Sequence, residues 1–377
     1  MNINKAIKKL CKLKMFTPDY WYPQSVNCVW NTYVSDRSTG KTTSFLLIGL
    51  MLYKSENIIT HYIRSTSPMI SAGKIANMFG SIVSLGYISE IFENRWNNVI
   101  YQRSTHKFYL CLCDNDGHII EQDTTAFCVA MSIDNAETYK SSYQCNNGDF
   151  IIFDEFINSY YRRGEFPQFC DLCSTIIRKR MTAQIFLLAN TIERNSEYFD
   201  ELECRDFIDH AEQGDVSEYD LSGTSVHVEV LGVRIDDKRK KFNARYFSFK
   251  NPRLAAITGT GWAVKNYQHI DRPIKSYLAR NLFIFVQNKY IQLDVVRVDD
   301  SDKICVYAHL SKEPEKEDAY IYSIDRDCYS NNTVYARGTG NSLDKWFWNL
   351  EKTNLVFFSN NSVGSLFEHY KTITKYL

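Results

Sequence analysis

Four groups of residues have types and spacings that could do chemistry. Gly40-Lys41-Thr42 offers an ammonium and a hydroxyl directly after a small-residue loop, Ser35-Asp36-Arg37-Ser38-Thr39. A loop of free backbone N–H groups at a helix start cradles phosphates. Lys41 would reach the β- and γ-phosphates, and Thr42 would supply a hydroxyl to Mg²⁺, with Thr43 next on the helix. Asp154-Glu155 closes the apolar run Phe150–Phe153 and supplies two carboxylates. Asp154 would hold Mg²⁺, and Glu155 would polarise an attacking water. Asn190, at the end of another apolar run, could sense a γ-phosphate. Arg178 and Arg180 are arginine candidates for stabilising transition-state charge from a neighbouring copy, Arg178 the first choice. Arg37, inside the loop, could touch phosphate in cis or an acidic partner such as Glu155.

These groups need elements to hold them. Asn27–Val34 reads as a strand and 43–53 as a buried apolar helix, so the loop sits in a strand–loop–helix context. Ser35 stands where the usual first glycine of such a loop would be, a departure because serine tolerates positive φ less well. Phe150–Phe153 and Gln184–Ala189 read as buried strands, and both deliver their polar residues to a C-terminal strand edge, where open parallel sheets bind ligands. Strands are also expected at 58–64 and 226–233, an antiparallel stretch at 98–131, and helices at 69–84, 164–182 and 196–212. Buried strands alternating with helices indicate a mainly parallel, doubly covered α/β sheet. A basic helix over 2–16 precedes it.

After residue 235 the texture changes. Segment 236–275 carries a basic cluster, Lys238 to Lys241, and reads as a linker. Residues 276–377 read as a small β-rich domain with strands at 282–286, 290–298, 303–309, 320–324, 333–336 and 355–359, and a last helix near 363–375. The expected organisation is therefore 1–235, a linker at 236–275, and 276–377.

Composition excludes several classes. The chain has 377 residues, 44% hydrophobic and 23% charged, and can bury a sizeable core. Lys plus Arg equals Asp plus Glu at 44 each, which excludes a globally basic nucleic-acid coat. No apolar run approaches the ~20 residues of a membrane span, and the basic N-terminus has no apolar core of a signal peptide. Eleven cysteines, with one C-x-x-C at Cys170 and Cys173 and no histidine partner, read as free thiols in a reducing cytosol. Asp294, Asp299, Asp300 and Asp325 show no recognisable two-metal arrangement.

The sequence resembles the DNA encapsidation ATPases of phi-29-like podoviruses. The matching pieces are the loop Ser35–Thr42 with its internal arginine, I-I-F-D-E-F (151–156), T-I-I-R-K-R (175–180), L-L-A-N-T-I (187–192) with N-S-E-Y-F (195–199), Y-I-Y-S-I-D-R-D-C-Y-S-N-N-T-V-Y-A-R (320–337) and L-V-F-F-S-N-N (355–361). The resemblance implies a RecA-like P-loop (ASCE) ATPase domain, a short linker, and a C-terminal domain similar to a terminase nuclease of RNase H-like fold that has lost catalysis. It implies ATP and Mg²⁺ as cofactors and a homopentameric ring at the portal vertex of a procapsid in the host cytoplasm, driving double-stranded DNA inward, with a packaging RNA in some relatives. It also implies that Lys140 faces a neighbour's nucleotide. Lys74, Arg103 and Lys107 are candidates for the DNA-facing lumen. Two other readings stay open: a small-molecule kinase, which would yield a phosphorylated metabolite, and a nucleotide-gated adaptor without turnover, which would be indifferent to Glu155→Gln.

Overall fold

A computed structural model describes residues 1–13, 21–35, 39–157, 164–190, 196–231, 267–270, 277–279, 281–297, 304–315, 319–325, 328, 332–335 and 342–374. Asp36, Arg37 and Ser38 of the phosphate loop, Thr191, the basic cluster 238–241, and Asp299 and Asp300 lie outside the described residues.

The N-terminal sheet has ten strands: β1 (Trp30–Ser35), β2 (Thr60–Arg64), β3 (Asn98–Gln102), β4 (Lys107–Cys113), β5 (Ile119–Gln122), β6 (Cys128–Ser132), β7 (Phe150–Asp154), β8 (Gln184–Asn190), β9 (Val216–Leu221) and β10 (Thr224–Val230). Their order is β3-β4-β6-β2-β7-β8-β1-β10-β9, with β5 added to β4. From β6 to β10 all pairings are parallel. Strand β8 lies between β1, which leads into the phosphate loop, and β7, which carries the acidic pair. That mixed α/β arrangement around a mostly parallel sheet fits a RecA-like fold.

Side-chain alternation sets the layers. Phe150, Ile152, Phe186 and Leu188 enter one core, under α1 (Ile3–Leu10) and α2 (Lys41–Glu56). Ile151, Phe153, Ile185 and Leu187 enter the other, under α3 (Ala136–Ser142), α4 (Glu165–Ile177), α5 (Glu197–Glu201) and α6 (Arg205–His210). Strands buried on both faces must be apolar throughout, as these are. Helix α2 is buried on every side from Ser44 to Tyr53. It tolerates this because α1 covers it with Ile3, Ala6, Ile7 and Leu10, one i, i+3, i+4, i+7 stripe, while Lys5, Lys8, Lys9 and Lys12 stay outside that stripe.

Three expectations change. The helix read over 69–84 is a set of short helical turns, Ser67–Ile70, Ala72–Ile75, Gly80–Ser84 and Tyr87–Ile91, the last two separated at Gly86, which is left-handed (φ 75°). Within 98–131, β3, β4 and β5 pair antiparallel and β6 pairs antiparallel with β4, as expected, but on its other side β6 pairs parallel with β2. Strand β9 was not foreseen: its alternate residues are exposed, and it forms a hairpin with β10 over Ser222 (φ 51°) and Gly223 (φ 96°).

The C-terminal unit has its own core. It comprises β11 (Tyr277–Ala279), β12 (Leu282–Val286), β13 (Lys289–Arg297), β14 (Ile304–Ser311), β15 (Tyr320–Ser323), β16 (Thr333–Tyr335), α7 (Ser342–Lys352), β17 (Val356–Phe358) and α8 (Asn361–Thr374). The order is β16-β15-β12-β13-β14-β17, with β11 on β13. Strands β12, β13 and β14 form an antiparallel meander, and β15 and β16 continue parallel from β12. Helix α7 was not foreseen, because Trp346, Phe347 and Trp348 in succession carry strand preference. Of the expected linker 236–275, only 267–270 are described. They lie against this unit: Gln268 O accepts from the Phe358 amide at 2.8 Å, and the Tyr267 ring sits 5.4 Å from Phe358.

The packing of α2 on the sheet can be tested. A Cβ on Gly49 would collide with Thr60 Oγ1, so α2 reaches the sheet only without a side chain there. Gly49→Val should cost about 3 kcal/mol of unfolding free energy by urea titration. The sheet edge offers a second test. His227 on β10 faces Glu218 on β9 through Nδ1 (2.8 Å) and Glu229 through Nε2 (3.4 Å), so only the doubly protonated ring donates to both. Burial lowers its pKa, but the hydrogen bonds to Glu229 and Glu218 outweigh burial and the net shift is upward. A raised folded pKa gives stability that is complete below about pH 6.5 and lost as pH rises through the folded value. Unfolding free energy should therefore carry a component that falls as pH rises above about 6.5, and His227→Gln should remove that component.

Candidate active site

The site lies at the C-terminal edge of β1, β8, β7 and β2. Gly40 caps α2 in the left-handed region (φ 84°, ψ 4°), a conformation glycine adopts without a Cβ penalty. Ser35 does not need that freedom, because it is the last residue of β1 and pairs in register with Asn190 on β8. Its hydroxyl lies 3.0 Å from Thr39 Oγ1 and accepts from Lys41 Nζ. Lys41 is buried, and its ammonium also donates to Asn190 Oδ1 at 3.3 Å. Thr43 follows, half-buried on α2.

Asp154 shares a sheet face with Phe150 and Ile152, the α2 side. Thr42 Oγ1 therefore reaches it, donating to Asp154 Oδ2 at 3.0 Å. A second donor comes from β2: Tyr62 OH reaches the same oxygen at 2.7 Å. Asp154 Oδ1 accepts the Glu155 amide at 3.0 Å. Burial raises the Asp154 pKa, opposed by the Arg64 charge and the Tyr62 and Thr42 hydroxyls. Burial and the Asp154 charge push the Tyr62 hydroxyl well above its ordinary range, so it remains a donor.

Glu155 turns out of the strand at φ 54° and is half exposed. Its carboxylate pairs with the Arg64 guanidinium at the end of β2, and Arg64 NH1 also donates to Tyr62 OH at 3.2 Å. Tyr62 and Arg64 were missed by sequence reasoning. Their only signal was two functional side chains at i and i+2 on one strand, and nothing in the sequence says that this strand lies beside β7.

The basic candidates sit elsewhere. Helix α4 runs back across the sheet, so Arg178 and Arg180 emerge at the N-terminal edge of β7, roughly 15 Å of strand from Asp154. Neither can serve its own phosphate loop. Arg180 is committed within the chain: Nε to Asp149 Oδ1 at 2.5 Å, NH1 to Cys145 O at 2.8 Å and NH2 to Ile176 O at 2.7 Å. Thr182 Oγ1 completes the cover of buried Asp149. Arg178 is exposed and bonds to carbonyl oxygens, Tyr143 O at 2.6 Å and Thr175 O at 3.2 Å. It and Lys179 both hold positive φ, 42° and 68°, conformations that cost a non-glycine residue energy. Lys140, on exposed α3, pairs with Glu137 (2.7 Å) and Asp171 (3.0 Å), which raise its pKa. Arg103 in the β3–β4 turn and Lys107 opening β4 lie at the sheet end to which Tyr101 OH ties Ile70 O (3.3 Å), on the segment that leads into exposed Lys74.

The separation of roles gives a prediction. Asp149→Ala leaves Arg180 without its carboxylate and should cost about 2 kcal/mol in thermal or urea unfolding. Arg178→Ala should cost less than about 1 kcal/mol. Equal losses would contradict the division.

No family model matches the chain, and no curated protein matches it. Solved structures do. The Phi-28 gp11 DNA packaging motor matches at 17% identity and TM-score 0.54, over 95% of this chain and 99% of that one. The bacteriophage Phi-29 viral genome packaging motor assembly matches at 16% identity and TM-score 0.56, over 94% of this chain and 99% of that one. The resemblance carried by the motifs thus extends to the fold, through both units.

Proposed function

We propose that the chain is the ATPase of a viral DNA packaging motor, which hydrolyses ATP in a ring of copies and moves double-stranded DNA into a procapsid. What carries this reading is one coincidence: the Thr42–Asp154 contact with Glu155 beside it, inside a fold shared end to end with two packaging motors. The C-terminal unit, which a small-molecule kinase has no use for, is part of that shared fold.

The residues divide the work. The amides of Ser35–Thr43 and Lys41 bind the phosphates of ATP, and Thr42 and Asp154 would hold Mg²⁺. That ion would neutralise charge on the β- and γ-oxygens. The donor set fits: a hydroxyl and a buried carboxylate, hard oxygen ligands of the kind magnesium takes. Glu155 orients and deprotonates the water, and must first leave Arg64. Asn190, bonded to Lys41, feels whether a γ-phosphate is present. Arg178 acts on a neighbour's nucleotide, because it cannot reach its own, and Lys140 is a second group directed to a neighbour. Lys74, Arg103 and Lys107 contact the DNA backbone, where a few phosphate contacts per copy hold DNA without trapping it.

Further parts of the reading concern assembly. The ring is a homopentamer at the portal vertex, in the host cytoplasm; a packaging RNA joins the motor in some proteins of the family it resembles, and the sequence leaves that partner open here. No helix among the described residues is long and apolar enough to cross a membrane. The strand order β14-β13-β12-β15-β16, an antiparallel meander continued by two parallel strands, supports an RNase H-like C-terminal domain. Asp294 there is held by His309 Nε2 (2.9 Å) and Gln292 Nε2 (3.0 Å), and nuclease activity is not part of this reading.

Glu155→Gln should lower ATP hydrolysis about 10²- to 10⁴-fold while leaving ATP binding intact. Wild-type hydrolysis should rise with double-stranded DNA and empty procapsids. Mixing Glu155→Gln with Arg178→Ala subunits should restore part of the activity, since some interfaces then pair an intact base with an intact arginine. A phosphorylated metabolite in place of free phosphate would favour the kinase.

A further inference from the structure

We infer that Tyr62 is a positioning residue for the metal-binding carboxylate, and that its hydroxyl joins the Thr42–Asp154 pair to the Arg64–Glu155 pair as one hydrogen-bonded unit. The inference rests on the proposed nucleotide reading of the site.

The geometry is specific. Tyr62 and Asp154 point to the same sheet face from neighbouring parallel strands, with Tyr62 in register with Ile152, two residues before Asp154. The hydroxyl donates to Asp154 Oδ2 at 2.7 Å, and its oxygen accepts from Arg64 NH1 at 3.2 Å. The phenol therefore both donates and accepts between the two halves of the site. Thr42 shares Asp154 Oδ2. A metal ion would draw the Thr42 oxygen toward itself, whereas the Tyr62 ring is buried in the α2-side core and stays put. Tyr62 is thus the donor that keeps Oδ2 aimed when a metal arrives. Donors that orient a ligating carboxylate typically change metal affinity about 10- to 100-fold when removed. The Arg64 end gives the second consequence. Arg64 holds Glu155 and Tyr62 with one guanidinium and its NH1 lies 3.9 Å from Asp154 Oδ2, so a change of its partner is felt at the metal ligand through the Tyr62 hydroxyl as well as directly through charge.

The test uses the full chain and mant-ATP fluorescence titrations with and without Mg²⁺, so binding is read without turnover. Tyr62→Phe keeps the ring and removes the hydroxyl. It should leave Mg²⁺-free affinity unchanged and cut the Mg²⁺-dependent gain in affinity about tenfold. Arg64→Ala should lower that gain when made alone, and lower it by a smaller factor when added to Tyr62→Phe. An unchanged gain in Tyr62→Phe, or fully multiplicative effects, would overturn the inference. Thr42→Ala separates the two levels. If it abolishes the gain while Tyr62→Phe does not, only the role of Tyr62 fails. If wild type shows no gain with Mg²⁺, the nucleotide reading itself fails. Arg64→Ala also reads the coupling independently should Tyr62→Phe fold poorly: a gain unchanged by Arg64→Ala would count against the link.

Discussion

A buried carboxylate has to be hydrogen-bonded, and the upper edge of the N-terminal sheet is organised around one, Asp154. It sits 6% exposed between the head of α2 and strand β2. Its two oxygens are met by Thr42, Tyr62 and the Glu155 amide. Each partner depends on a different long-range feature. Thr42 is there because Gly40 starts α2 directly above the sheet. Tyr62 is there because β2 pairs with β7. Glu155 faces away because the chain leaves the strand through a left-handed residue. Loss of any of these placements would remove part of the compensation for a charge in a low-dielectric site.

The same sheet keeps the Lys41–Asp154 edge and the Arg178–Arg180 segment apart. Helix α4 must return across the sheet to bring β8 into parallel register beside β7, so whatever follows it emerges at the opposite edge. Arg178 and Arg180 therefore sit far from the phosphate loop of their own chain. Of these two nearby arginines, one is absorbed into the structure by Asp149 and the other is left on the surface in a strained conformation. The strain is tolerated because the Asp149–Arg180 clamp holds the segment on its other side.

Charge distribution follows a similar logic. The chain is neutral overall, yet basic side chains recur in separate places: the polar side of α1, the β3–β4 turn with Arg103 and Lys107, and the Arg178 segment. Two other arginines are neutralised locally, Arg64 by Glu155 and Arg180 by Asp149. Neutral totals thus coexist with local fields at the surface.

Much of the fold, and the candidate residues Lys41, Thr42 and Asp154 that meet at one sheet edge, could be read from the sequence. Gly40, Lys41 and Thr42 follow a strand and open a helix, and Asp154 ends an apolar strand; both signals are local, because a left-handed turn and a doubly buried strand each demand particular residues. The apolar runs at β7 and β8 and the basic-apolar alternation of α1 are local for the same reason. Strand order is not local. That β8 separates β1 from β7, that β6 joins β2 in parallel, and that β2 lies against β7 are settled by which faces bury best together. Consequently only the tertiary structure placed Tyr62 and Arg64 in the site, and only it showed that Arg180 is held by Asp149. A side chain's role at a sheet edge depends on its neighbours across strands, and those neighbours are distant in the chain.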